Sequence, residues 1–327
     1  MKVSAATKTS GLVGDVGGTN ARFAVAETDG RSTKIIHAAV LRAADYPTGE
    51  AALCAYLDML EGQRPRLAVI AAAGPVIRGA VSFTNNDGWG FSEKRLAKAC
   101  GFNEVRLIND FAAQALSIDR LSPGDTRLIG PRVRGRAGAT AAIMGPGTGF
   151  GAAALVRDGR RHAVMTGESG HWAFAPEDEV EIEILRRLMV RFGQVSVERV
   201  LSGPGLLNLY QAMGAMTGEP AGLAAPADVT REALAGEGLA REALGRFCAI
   251  LGSIAGNLAL ATGAEGGVYI SGGIAPDIFD FLKTSDFRRR FETKDRMSDY
   301  LATIPTRVVT QPHTALIGAA ALLGDLT

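Results

Sequence analysis

Two glycine clusters stand out because backbone amides and polar side chains converge in them. In Gly14-Asp15-Val16-Gly17-Gly18-Thr19-Asn20 the N–H groups of a tight turn can face an anion, and Thr19 and Asn20 add side-chain donors. Asp15 would repel a bare phosphate. It makes sense with Mg²⁺ between the two, since that cation takes oxygen ligands and rides on phosphates. The same residues also make an ordinary hairpin turn closed by an Asx hydrogen bond. Gly145-Pro146-Gly147-Thr148-Gly149 is a second turn of this kind, and two such turns can grip a polyphosphate from both sides. Ser271-Gly272-Gly273 follows an apolar run, where a backbone can approach a flat ring such as adenine or simply turn. Neither a Gly-x4-Gly-Lys-Ser/Thr loop nor a Gly-x-Gly-x-x-Gly fingerprint occurs, which excludes P-loop and dinucleotide-binding readings.

Three further segments hold acids and bases. Asn109-Asp110 sits between an apolar run and a helical pattern. A carboxylate at such a junction can accept a hydroxyl proton in phosphoryl transfer, and a helix N-terminus keeps it ionised. It is then a weak base in the ground state, which suffices when the proton moves late. The pair is equally a plain helix cap. Glu168 and His171, three apart in a glycine-containing loop, can pair with neighbouring sugar hydroxyls as acceptor and donor. His171 is otherwise structural, or a metal ligand, though no nearby cysteine completes a zinc site. Glu198 is a further acid, otherwise an exposed charge near a helix stop. Trp89 and Trp172 are core residues by default, or a sugar-stacking face.

The elements that must position these residues are legible in outline. Residues 12–27 and 142–156 each read as strand, glycine turn, strand, and overlaying Gly18-Thr19 on Gly147-Thr148 aligns their apolar flanks, as an internal duplication would. Strands are predicted at 67–72, 105–108 and 267–271. Helices are predicted near 50–60, 92–99, from 110 onward, and at 177–192, 241–261 and 314–323. In 177–192, acidic residues lead and arginines close, and Val180, Ile184, Leu185, Leu188 and Met189 form the apolar face. The aperiodic stretch 122–138 reads as a linker. Strands interspersed with helices make an α/β protein.

At 327 residues the chain is long enough for two domains, and 47 % apolar with 21 % charged residues is the mix of a folded protein. A formal net charge of +1 gives no electrostatic reason for a nucleic-acid or anionic-membrane partner. Cys54, Cys100 and Cys248 contain no Cys-x-x-Cys pair, so neither a disulfide framework nor a zinc knuckle is expected. The first ten residues are polar, unlike a secretory signal, and no run of about 20 apolar residues is uninterrupted. A reducing cytoplasm is the expected location.

Six segments in order resemble the motifs of bacterial glucokinases: 12–22, 108–112, 145–149, 167–171, 196–205 and 267–274. The resemblance runs from about residue 11 to the end of the chain. It implies an ATP-dependent hexose kinase acting on glucose, with two actin-like (ribonuclease-H-like) α/β ATPase domains around a central cleft. The domains would be 1–120 plus 311–327, with the first phosphate loop and catalytic acid, and 121–310, with the second loop and the sugar and adenosine contacts. It further implies Asp110 as the base for the sugar 6-hydroxyl, and Asn109, Asp110, Glu168, His171 and Glu198 as sugar-binding, with Asn85 beside them. Gly14, Asp15, Val16, Gly17, Gly18 and Thr19 would hold the ATP phosphates from one side. Gly145, Gly147, Thr148 and Gly149 would hold them from the other, with Gly272 and Gly273 at the adenosine end and Asp15 toward Mg²⁺. A homodimer is expected from the resemblance. The alternatives are a kinase for fructose, mannose or an amino sugar, a catalytically inactive sugar sensor, and an actin-like structural ATPase. The cysteine-rich zinc motif and the N-terminal helix-turn-helix domain of related kinases and repressors are not found in this sequence, which argues against structural zinc and a repressor role.

Overall fold

In the computed structural model, which describes residues 9–29, 32–62, 64–83, 89–159, 161–218, 221–236 and 238–326, the chain divides into two units, each built on one sheet. One unit is Met1–Pro123 with Gln311–Thr327; the other is Gly124–Thr310.

In the first unit β1 (Thr9–Val16) and β2 (Asn20–Thr28) form the glycine-turned hairpin, and β3 (Thr33–Arg42) adds antiparallel to β2. Helix α1 (Gly49–Asp58) leads to β4 (Leu67–Ala72), which lies parallel to β1. A small ribbon, β5 (Ala80–Ser82) with β6 (Gly90–Ser92), precedes α2 (Glu93–Cys100). Strand β7 (Glu104–Asn109) then pairs parallel with β4 and runs directly into α3 (Asp110–Ser117). The sheet order is β3-β2-β1-β4-β7. Side chains alternate across it. Leu12, Phe23 and Ile70 pack with Leu53, Tyr56 and Leu96 of α1 and α2, while Val13, Ala24 and Val69 pack with Leu316 and Ala319 of the C-terminal helix Thr314–Ala321. Burial on both faces explains why these strands read as nearly continuous apolar runs.

The second unit opens with β8 (Thr126–Ile129), followed by the hairpin β9 (Ala141–Pro146) and β10 (Phe150–Asp158) and by β11 (Arg161–Gly167). Helices α4 (Glu179–Phe192), α5 (Gly203–Thr217), α6 (Pro226–Ala235) and α7 (Leu239–Thr262) precede β12 (Gly267–Ile270) and β13 (Thr306–Val309). The order is β11-β10-β9-β12-β13-β8, so the first unit's pattern of an antiparallel meander followed by two parallel strands recurs, with one antiparallel strand added at the edge.

Two expectations are corrected. The stretch 122–138 is not merely a linker, because β8 lies within it and pairs with β13. The inward face of α4 is only partly apolar: Ile184 and Leu188 are buried, but Val180 and Met189 are exposed. Wholly buried beside Ile184 on that face is Glu181, whose carboxylate meets Arg246 and Arg290. Helices α5 and α6 occupy residues where the sequence pattern predicts no element. Among the described residues α7 alone is long and apolar enough to cross a membrane. Its apolar side chains point in all directions into the core of the second unit, as a buried helix requires.

Candidate active site

In the first unit, the chemistry gathers at the carboxyl ends of β1 and β7. Asn109 ends β7 and caps α3: its Oδ1 accepts from the N–H groups of Phe111 (2.9 Å) and Ala112 (3.1 Å). Its Nδ2 donates to the Gly74 carbonyl (3.2 Å) and to Asp110 Oδ1 (3.0 Å). Asp110 Oδ1 also accepts from the Phe111 N–H at 3.0 Å. The pair is therefore a helix cap and a fixed carboxylate at once; the two readings of the sequence are not exclusive. Helix α3 is held from behind by the C-terminal helix, where a Cβ on Gly318 would lie 1.6 Å from the Ala113 carbonyl oxygen.

At the β1–β2 turn, the Gly17 N–H donates to the Asn20 carbonyl (2.9 Å), and Thr19 stands exposed at the tip. Asp15, one pair back along the ladder, faces Arg22 and accepts from its guanidinium at 2.8 Å. Burial pushes the Asp15 carboxyl above its ordinary range, against the opposing pull of Arg22 and of the His313 imidazole. Neither Arg22 nor His313 was singled out in the sequence: Arg22 lies within the motif, but His313 comes from the far end of the chain. Asn85 lies outside the described residues.

In the second unit the Gly147 N–H closes its turn on the Gly149 carbonyl (2.8 Å), and Thr148 is exposed at the tip. The Gly147 carbonyl in turn accepts from the N–H of Gly203 (2.8 Å), the first residue of α5. The positive end of a helix therefore lies behind this turn, which favours an anion. Ser202 caps α5 through the Gly205 N–H (2.9 Å) and donates to the Glu198 carbonyl (2.8 Å). A Cβ on Gly145 would lie 2.3 Å from the Ser271 carbonyl oxygen, and one on Gly272 2.3 Å from that of Pro146. These glycines let two backbone segments touch, whereas Gly273 faces open space.

Glu198 joins the remaining pieces. Its Oε2 accepts from the Phe150 N–H at 2.9 Å. A Cβ on Gly149 would lie 2.5 Å from that oxygen, and one on Gly170 would lie 3.5 Å from it and 2.5 Å from the Phe150 carbonyl oxygen. The 168–171 loop is a short 3-10 turn in which the His171 N–H donates to the Glu168 carbonyl (3.0 Å). It is tied to the Glu198 segment by the Val197 N–H donating to the Trp172 carbonyl (2.8 Å). Glu168 and His171 are exposed, and Trp172 is 40 % exposed. Trp89 is buried, its Nε1 donating to the Tyr46 carbonyl at 3.0 Å. Glu168, His171 and Glu198 thus share one face of the second unit, and Asn109, Asp110 and Asp15 lie at the strand ends of the first.

No group of three or more His, Cys, Asp or Glu side chains suited to a metal occurs among the described residues. Mg²⁺ needs no such group, since it keeps several waters and uses one or two carboxylates plus phosphate oxygens. A single half-buried carboxylate beside a glycine turn, as at Asp15, fits that ion.

Comparison with known proteins gives concordant results. A family model described as Glucokinase matches residues 12–326. A glucokinase of Caulobacter sp. (strain K31) is 53 % identical over 313 residues, covering 95 % of this chain and 94 % of that one. The crystal structure of a glucokinase from an Antarctic psychrotroph matches with a TM-score of 0.86 at 39 % identity, covering 97 % of this chain and 99 % of that one. A ROK family glucokinase from Streptomyces griseus, in complex with glucose and AMPPNP, matches with a TM-score of 0.65, covering 98 % of this chain and 100 % of that one. At 19 % identity the last likeness speaks for the fold alone.

Proposed function

The chain belongs to the glucokinase family, and from that premise we propose how its own residues carry out the transfer. The fold is the actin-like ATPase fold, and the activity is that of an ATP-dependent hexose kinase, which makes glucose 6-phosphate and ADP from glucose and ATP. The observation that carries this is the family match over residues 12–326.

Asp110 is the base for the 6-hydroxyl. Its carboxylate is held by the Asn109 amide and the Phe111 N–H, so its orientation is set before substrate arrives. A carboxylate fixed in this way suffices for phosphoryl transfer, whose loose transition state forms before the hydroxyl proton must leave. Asn109, Glu168, His171 and Glu198 bind the sugar hydroxyls; leaving one such group buried and unpaired costs roughly 1–3 kcal/mol, which is the source of discrimination among hexoses. The N–H groups of Gly17 and Gly147 are engaged in closing their turns. The ATP phosphates are therefore met by the exposed tips, Thr19 and Thr148, with the α5 N-terminus adding its dipole behind the second. Gly272 and Gly273 face the nucleoside end. Bound on Asp15, Mg²⁺ would neutralise charge on the β- and γ-phosphate oxygens. A cytoplasmic location fits an enzyme that consumes ATP, and a homodimer follows from the resemblance; sedimentation equilibrium tests the latter.

The test is an ADP-release assay with Mg-ATP and a hexose panel on wild type and Asp110→Asn. Release should depend on sugar and be strongest with glucose. In the variant kcat should fall roughly 100- to 10,000-fold, the usual worth of a positioned base, with KM for glucose much less changed. Undiminished turnover in Asp110→Asn would remove Asp110 from the mechanism. Stronger release with another hexose would change the substrate and leave the chemistry.

A further inference from the structure

No step of the transfer uses a thiol, yet the fold brings two cysteines together. Cys54 lies on α1 and Cys100 is the last residue of α2; their Sγ atoms are 2.7 Å apart although the residues are 46 apart in sequence. A disulfide would draw the sulfurs closer by only about 0.7 Å. The two differ in access. Cys54 is half-buried, its Sγ also directed at the Ala99 carbonyl (3.8 Å), whereas Cys100 is 8 % exposed. Burial, reinforced by the neighbouring Cys54 sulfur, pushes the Cys100 thiol up, so an oxidant meets Cys54 first. Cys248, the third thiol, is buried in the core of the second unit and stands clear of this contact as an internal control.

We propose that Cys54 and Cys100 are a reversible dithiol–disulfide pair, oxidised by peroxide, that staples α1 to α2. The Cys54 thiolate attacks one peroxide oxygen; the O–O bond breaks, and the departing oxygen takes a proton to become water or an alcohol. Cys54 is then a sulfenic acid. The Cys100 sulfur attacks the Cys54 sulfur, the S–O bond breaks, and the leaving hydroxide carries off the Cys100 proton as water. In balance, two thiols and one peroxide give one disulfide, one water and one further water or alcohol; the sulfurs lose two electrons and the peroxide gains them. A thiol reductant reverses the bond by exchange. The staple closes a long loop and so removes freedom from the unfolded chain. It also fixes α2, whose Glu93 carboxylate accepts from the Leu107 N–H (2.8 Å) on β7, the strand that ends at Asn109.

Reduced full-length protein is treated with stoichiometric hydrogen peroxide, alkylated in denaturant, digested and mapped by mass spectrometry. A peptide linking Cys54 to Cys100 is expected, lost on adding dithiothreitol, with Cys248 alkylated throughout. Oxidised wild type should melt several degrees higher than reduced, and the difference should vanish in Cys54→Ser and Cys100→Ala. Should Cys100→Ala fail to fold, Cys54→Ser at the more accessible position makes the same comparison. Recovery of both thiols free, or of sulfinic acid without a link, in protein that stays folded by circular dichroism would overturn the proposal. So would a link found only between chains on non-reducing gels.

Discussion

The two glycine hairpins occupy the same place in their sheets and are built on opposite principles. The last ladder pair before the turn is Val16–Ala21 in the first unit and Pro146–Phe150 in the second. The pair behind it is Asp15–Arg22 in one and Gly145–Gly151 in the other. The first hairpin spends that position on a charged pair, with nothing nearer than 4.0 Å to a Cβ on Gly17. The second spends it on backbone lying directly on the Ser271–Gly272 backbone. One turn is backed by a charged pair, and the other is a shelf set by close packing and a helix N-terminus. The ladders also correct the overlay of Gly18-Thr19 on Gly147-Thr148. It aligns the second strands but sets Val16 on Gly145, because the first turn, residues 17–20, is one residue longer than 147–149.

The largest effect should come from adding one methyl to each hairpin. In Gly145→Ala the new Cβ meets main-chain atoms of Ser271 and Gly272 at 2.3–2.9 Å, and neither can swing away as a side chain would. Overpacking of this kind costs about 3 kcal/mol, or roughly 6–12 °C in the melting of a unit this size. Parting the shelf from Gly272 should also raise KM for ATP at least about tenfold, a ~1.4 kcal/mol loss. Gly17→Ala, with open space in the turn of the other hairpin, should melt within about 2 °C of wild type. Calorimetry on the pair decides; equal losses would erase the contrast between packed and open turn.

A smaller and more selective effect is expected at Gly149. Its Cβ would meet the Glu198 carboxylate, the far end of a flexible side chain, at 2.5 Å. The fold can yield there by moving Glu198 and breaking its bond from the Phe150 N–H. Gly149→Ala should therefore leave melting nearly unchanged while raising KM for glucose about tenfold, the worth of one lost hydrogen bond to a charged group. If KM for ATP rose instead, Gly149 would act on the phosphate and Glu198 would not be a sugar ligand.

Local signals made much of this legible. Apolar runs flanking glycine turns gave both hairpins, and the apolar run ending at Asn109-Asp110 gave the strand-to-helix junction that fixes Asp110. What stayed hidden depends on partners distant in sequence. Strand β8 is an edge strand defined by its pairing with β13, so by itself it reads as a loop. Helix α5 opens with two glycines that propensity counts against it, but a Cβ on Gly205 would lie 2.7 Å from the Val200 backbone, and Ser202 supplies the cap. Glu181 sits among apolar residues on α4 because two arginines from other helices meet it there. The Cys54–Cys100 contact and the approach of His313 to Asp15 are likewise set by tertiary packing.

The smallest effect separates the units by their charges. In the second unit Glu177 pairs with Lys294 (2.9 Å) and Arg290 (3.0 Å), and Asp178 pairs with Arg246. Burial would raise both carboxyls, but these cations, with the Glu181 N–H on Asp178, outweigh it and hold both below the usual range. Carboxylates depressed in the folded state contribute stability that is present above their unfolded pKa, about 4, and is lost as pH falls through the folded value. Asp15 has the opposite sign: raised in the fold, it binds its proton more readily there, so acid takes no stability from it. Lowering the pH below about 4 should therefore reduce the melting temperature of the second unit specifically. Glu177 and Asp178 are 30 % and 40 % exposed, so solvent screens the pairs, and the share due to them should be only about 2–4 °C. Calorimetry against pH on wild type and Glu177→Gln/Asp178→Asn measures it. A shallower acid slope in the double variant is the expected result, and identical slopes would place the acid sensitivity elsewhere.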